Sequence, residues 1–212
     1  MRPTKMSEEQ VLRRLTEVFR ERGYEGASYA RLMGATGLVK ASLYHRFPGG
    51  KEEMVDAVLS RVDREFLEYV LRPAHEAGPP PKRARQIARR LQEFYGSGTR
   101  WCLLDTLTLS TSARTLRHTR GSMEFWITSF ARLGRESGMS KAHARRRAED
   151  AVAAIEGGLI VSRVMNNRRP FLRALATLPG RLTQDVERKS RRTGPSTTSA
   201  SFAGKDRRSQ QL

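Results

Sequence analysis

Lys40, Ser42, Tyr44, His45, Arg46 and Lys51 stand close together in TGLVKASLYHRFPGGKEEM, the stretch from Thr36 to Met54. Cations, a hydroxyl, a phenol and an imidazole at this spacing suit the holding of an anion. On a helix, Leu43 and Phe47 lie four positions apart and point inward, which leaves Lys40, Ala41, Ser42, Tyr44, His45 and Arg46 spread over the remaining surface. A helix that enters a DNA major groove needs this division. Small residues such as Ala41 and Ser42 permit close approach, Lys40 and Arg46 can reach guanine edges or phosphates, and Tyr44 and His45 can donate to phosphate oxygens. Lys51, at the start of the next helix, would set both its charge and a helix N-terminus against the backbone.

Bond-making chemistry finds no comparable group. The four histidines, His45, His75, His118 and His143, are scattered without metal-ligand spacing, and no nucleophile–base–acid set is visible. An enzyme is disfavoured, and neither cofactor nor metal is expected. Cys102 is the single cysteine, which rules out an internal disulfide and fits a reducing, cytoplasmic home. The opening MRPTKMSEEQ enters an amphipathic pattern at once, and no apolar run approaches a membrane span. Neither export through a signal peptide nor a membrane partner is therefore expected. The formal charge of +18 over 212 residues implies attraction to polyanions, although a generally basic surface accounts for part of it.

Helices must position the anion-binding stretch. Val11, Leu12, Leu15, Val18 and Phe19 form one stripe behind a Ser7-x-x-Gln10 capping box, with Gly23 as a natural stop. Ser28 can cap a short second helix carrying Tyr29, Leu32 and Met33, and Gly37 suits the left-handed turn after it. The third helix is predicted from Val39 to Phe47, closed by Pro48-Gly49-Gly50. A fourth begins near Lys51 and carries Met54, Val55, Val58, Leu59, Val62, Phe66 and Val70 before Pro73. HEAGPPPKR reads as a loop stiffened by its prolines. Further helices are expected around 84–95, 102–110, 116–136, 141–165 and 170–186, and from Arg188 a basic, apolar-poor tail should be disordered.

The helix-one stripe, SYARLMGATGL and KASLYHRFPGGKEEMVDAVL together resemble the TetR family of bacterial transcriptional regulators over about residues 8–60. The Pro48-Gly49-Gly50-Lys51 spacing, WCLLDTLTL and AIEGGLIVSRVMNNRRPFLRALATLP are similar to its lincomycin-resistance repressor subgroup. The resemblance implies an all-α protein, with a helix-turn-helix DNA-binding domain at 1–52, an effector-binding and dimerisation domain at 53–187, and a tail at 188–212. It implies DNA-backbone contacts at Ser28, Lys40, Tyr44 and Lys51, and base reading around Ala41, Ser42 and His45. Val39 stands where Ser or Pro is usual, which leaves Thr36 to cap the third helix, and Ala27 replaces the first residue of a common Thr-Ser pair.

Within the larger domain, Gly157 and Gly158 let another helix approach, and with Ile155, Leu159, Ser162 and the helix around Phe171 they offer a homodimer face. Such a twofold protein would recognise a pseudo-palindromic operator. Apolarity nominates Trp101, Cys102, Leu104, Met123, Phe125, Trp126, Ile127 and Phe130 for contact with an unidentified small-molecule effector. The expected function is a repressor released by that effector. The rival is a basic architectural DNA-binding protein without one.

Overall fold

The computed structural model describes residues 6–109 and 112–183; the basic tail of the sequence reading lies outside them. The described elements are helical, with no strand among them. The capping box forms as its residue types dictate: Ser7 Oγ accepts from Gln10 N–H at 3.2 Å, and Gln10 Oε1 accepts from Ser7 N–H at 3.0 Å. From there α1 (Glu8–Gly26) buries Val11, Leu12, Leu15 and Phe19. Its expected stop, Gly23, breaks the helical dihedrals (φ 63°, ψ −171°), yet helix resumes as far as Gly26. The left-handed φ favours glycine, and a Cβ there would lie 2.9 Å from the carbonyl oxygen of Thr106.

Ser28 caps α2 (Tyr29–Thr36), and Gly37, at φ 69°, turns the chain into α3 (Lys40–Arg46). The cap of α3 differs from expectation. Val39 occupies the N-cap and supplies no side-chain acceptor. Thr36 is spent inside the turn, where its hydroxyl donates to Leu32 O at 2.7 Å and accepts from Leu38 N–H at 3.3 Å.

Prolines account for the other departures. Pro73 was expected to end the fourth helix. Instead α4 (Gly50–Glu65) runs through a π-helical stretch, Phe66–Leu71, into α5 (Arg72–His75). A proline inside an α-helix collides with the carbonyl four residues earlier; the wider π turn just before it relieves that collision, so the rod survives. In the supposed loop, Pro79 is the N-cap of α6 (Pro80–Phe94), and Pro80 and Pro81 fill its first turn, where a missing N–H costs nothing. The prolines thus begin a helix that the sequence pattern placed at Ala84.

The helix expected around 102–110 is short, α7 (Leu103–Leu107), and is followed by α8 (Ala113–Glu136), α9 (Lys141–Val164) and α10 (Arg169–Thr183). Phe66, Phe94, Trp126 and Phe130 pack edge to face in the middle of this body. At Gly158 an added Cβ would sit 3.0 Å from Phe171 Cα, so α9 and α10 approach as closely as backbones can. Ser162 Oγ accepts from Phe171 N–H at 3.1 Å beside that contact. Two junctions fix the N-terminal helices to the body: α1 lies on α7, with Glu17 bridging Arg20 and Arg100, and α4 lies on α8.

Candidate nucleic-acid interface

Buried Leu43 and Phe47 orient α3, which leaves Lys40, Ala41, Tyr44 and His45 exposed and Ser42 and Arg46 half-buried. The open face rests on aromatic rings. Tyr29 of α2 stacks on Tyr44 with centroids 5.5 Å apart, and Lys40 Nζ lies 5.4 Å from the Tyr29 ring and 5.8 Å from that of Tyr44. Burial, then a hydrogen bond with Tyr44, push the Tyr29 phenol up to about 12, so the Tyr29 hydroxyl keeps its proton. Tyr29 was not among the sequence candidates. Its signal was a second tyrosine across a glycine turn, which helical periodicity does not pair.

The other cations are held differently. Lys51 Nζ donates to Tyr24 O at 2.9 Å and lies 4.3 Å from the Tyr24 ring, which fastens the first turn of α4 to the end of α1. Arg46 Nη2 donates to Met6 O at 3.0 Å, and so turns toward the chain that precedes α1. Arg31 holds Gly26 O at 2.8 Å and Arg14 holds Ala35 O at 3.2 Å; both stand exposed, and the motif did not nominate them. Ser28 Oγ accepts from Arg31 N–H at 3.4 Å and retains its own proton for an outside acceptor. Ala27 is fully buried and presents nothing to DNA. The result is a small surface on which each cation is satisfied without a carboxylate.

In the body, a cavity of about 460 Å³ opens between α4, the π-helical stretch and α8. Of the eight apolar residues nominated for an effector, Phe125 lines it. Cys102, Leu104 and Trp126 border a void of about 30 Å³. Phe130 is fully buried, Met123 and Ile127 are half-buried against the core, and Trp101 lies under the Arg163 guanidinium at 4.6 Å. The larger cavity's polar end was not foreseen. Asp63 accepts from Ser122 Oγ at 2.7 Å and pairs with His118 Nε2 at 3.0 Å, while His118 Nδ1 lies 3.5 Å from Asp56. His118 and Ser122 are one helical turn apart, and Asp56 and Asp63 are two turns apart, but the pattern appears only once α4 is laid against α8.

One carboxylate is sealed. Both oxygens of Glu156 lack a hydrogen-bond partner, and burial pushes its acid up to about 7, with Asp105 adding to the effect and Cys102 opposing it. Burial also raises the Cys102 thiol well above its usual range, which keeps it protonated and unreactive. No cluster of three potential metal ligands occurs among the described residues, and no described helix is long and apolar enough to cross a membrane.

Of the nominated dimer residues, Ile155, Gly158, Leu159, Ser162 and Phe171 are buried, and Gly158 and Ser162 meet Phe171 of the same chain. Gly157 is half-buried, with nothing within 4 Å of an added Cβ. It shares the outer side of α9 with exposed Ala153, Ile160, Val161 and Val164, spaced as one helical stripe.

Comparison with known proteins agrees with this arrangement. Residues 11–58 match the model of bacterial regulatory proteins of the tetR family, and residues 82–177 match the C-terminal domain of LmrA/YxaF-like transcriptional regulators. The chain is 24% identical over 181 residues to the HTH-type transcriptional regulator LmrA of Bacillus subtilis (strain 168), covering 82% of this chain and 95% of that one. It is 25% identical to the uncharacterized HTH-type transcriptional regulator YxaF of the same organism, with 82% and 93% covered. Among solved structures, a TetR transcriptional regulator from Legionella pneumophila superposes with a TM-score of 0.75 at 17% identity, covering 85% and 99% of the two chains. The TetR-family regulator CifR, as a cysteine mutant solved with a 26-base-pair operator DNA, gives 0.70 at 21% identity over 84% and 98%. One model falls on the reading head and the other on the body behind it, and the chain belongs to the TetR family of DNA-binding transcriptional regulators, not to a class of enzymes.

Proposed function

We propose that this regulator is a cytoplasmic, homodimeric repressor that binds a pseudo-palindromic operator and leaves it when a small apolar or amphipathic effector enters the cavity between α4 and α8. One observation carries the reading: α4 belongs to both sites. Its first turn seats Lys51 beside the reading helix, and Ser60, Asp63 and Arg64 near its other end line the cavity. An occupant that shifts α4 therefore moves the seat of α3. A preference for the DNA-incompetent state worth about 1–3 kcal/mol changes operator affinity roughly 5- to 150-fold.

On the DNA, Ser28, Lys40, Tyr44 and Lys51 take the backbone, and Ala41, Ser42 and His45 read bases, with Arg46 bracing the chain before α1. Dimerisation uses α9 and α10. The outer stripe of α9 around Gly157 meets the partner, while Ile155, Gly158, Leu159, Ser162 and Phe171 hold the two helices together from within. A twofold axis then sets the reading helices about 34–36 Å apart, or a multiple of that, to match successive grooves. A protein of the same fold solved with operator DNA supports the use of this fold to bind a duplex.

The test is a genome-wide map of occupied sites, followed by titration of the recovered sequence and a scrambled control at fixed salt, with sedimentation of the complex. Two protomers on a symmetric site, bound about 10³-fold or more tighter than the control, are expected. Equal affinity for both duplexes would instead identify a basic architectural protein.

A further inference from the structure

The cavity between α4 and α8 has walls of two kinds. Phe66, Leu71 and Phe125 form an apolar side, and Leu67 and Phe125, 38% and 44% exposed, stand as uncovered apolar groups. Arg64 and Arg117 also line it, and both are exposed. Neither takes part in an ion pair among the described residues, although Arg61 and Arg114, three positions before each, are paired with acids. The acid in the lining, Asp63, already has partners in His118 and Ser122. The charge left open at the cavity is thus positive, beside an uncovered hydrophobic surface.

We infer that the cavity takes an amphipathic anion, a small molecule with an apolar body and a carboxylate or similar group, whose body lies against Phe66, Leu71 and Phe125 and whose charge meets Arg64 and Arg117. Guanidinium groups bind planar oxyanions through paired, charge-assisted hydrogen bonds. A cation of the same shape would face two arginines and find its only countercharge occupied. A neutral analogue would gain the apolar contact alone. At about 460 Å³ the cavity falls within the size range of small-molecule sites. The inference specifies the effector class for the release mechanism proposed above, and it rests on that reading for its biological meaning, though not for its geometry.

Three probes of nearly equal shape decide it: 2-naphthoate, 2-naphthylmethanol and 2-naphthylmethylammonium, titrated calorimetrically into the full chain. Naphthoate should bind about tenfold or more tighter than the ammonium, with the alcohol between them. In the double variant Arg64→Gln/Arg117→Gln that ratio should collapse toward one while the alcohol is unchanged. Leu67→Trp, which fills the mouth, should weaken all three. Tighter binding of the ammonium, a preference that survives loss of both arginines, or no binding of any probe overturns the inference. The same samples titrated with operator DNA separate the two claims. Naphthoate that binds in an arginine-dependent way yet leaves operator affinity unchanged supports the ligand class and overturns release.

Discussion

Around the reading helix cations are satisfied differently from many of those in the helical body, although Arg20 of α1 pairs with Glu17 and Arg90 and Arg147 of the body donate to carbonyls. In the head, Arg14, Arg31, Arg46 and Lys51 donate to backbone carbonyls and Lys40 lies against tyrosine rings. In the body, Arg83, Arg100, Arg114 and Arg145 meet Glu136, Glu17, Asp56 and Glu124. Both arrangements fix a side chain, but a carbonyl is neutral and leaves the full positive charge to act outward, whereas a carboxylate cancels it within a few ångströms. The cations beside the reading helix are therefore positioned without being discharged. Net charge alone does not reveal this, since the body also contributes many arginines to the total of +18.

The contrast can be broken most severely in the body. Arg83 is buried, holds Glu136, and donates to Ala74 O and Glu76 O at 3.4 and 2.7 Å. Arg83→Met should cost about 3 kcal/mol, the lower end for a broken buried pair because Glu136 is partly solvated, and urea midpoints should report it. The salt slope of DNA binding should not change.

Glu156, a carboxyl buried in the body with neither oxygen hydrogen-bonded, should respond with the opposite sign. Its folded acid titrates near 7 against an ordinary 4.5, so the folded state retains the proton between those values. Stability should fall as pH rises from about 4.5 to 7 and stay low above it. Glu156→Gln should remove that dependence and stabilise the protein by up to about 3 kcal/mol at pH 8. Equal urea midpoints for parent and variant at pH 8 would count against a sealed carboxylate.

In the head, Lys40→Gln should lower affinity for all duplexes by about tenfold and reduce the salt slope by about one, with folding stability nearly unchanged, and Lys51→Met should do the same to DNA binding while costing about 1 kcal/mol of stability through its lost bond to Tyr24 O. His45→Ala should change sequence preference while the slope is kept. Affinity measured across a salt series distinguishes these two responses. The smallest effect belongs to Arg145→Gln at the surface pair with Glu124: under about 1 kcal/mol in stability and none on the slope.

The stripe of α1, its capping box and the Gly37 turn could be read directly, because caps and periodicity are local. The prolines misled because proline's meaning depends on what precedes it: a π turn makes Pro73 tolerable, and Pro79 begins α6 where a loop was expected. The cavity was the least legible part. It exists only where α4 meets α8, so apolarity identified Phe125 but not Asp63 or His118, whose role depends on a partner across the gap. On α9 the small residues were visible, but not that Gly158 turns inward to Phe171 while Gly157 turns outward.

The contact at Gly23 sets a limit on modularity. The head looks detachable, a compact set of three helices joined to a larger body, and chimeras that exchange such heads are a natural way to rewire gene control. Yet where α1 crosses α7 there is no room for a single methyl group. A head transplanted onto this body would have to bring a glycine in the same left-handed turn. Otherwise the two halves would each fold well and meet at the wrong angle.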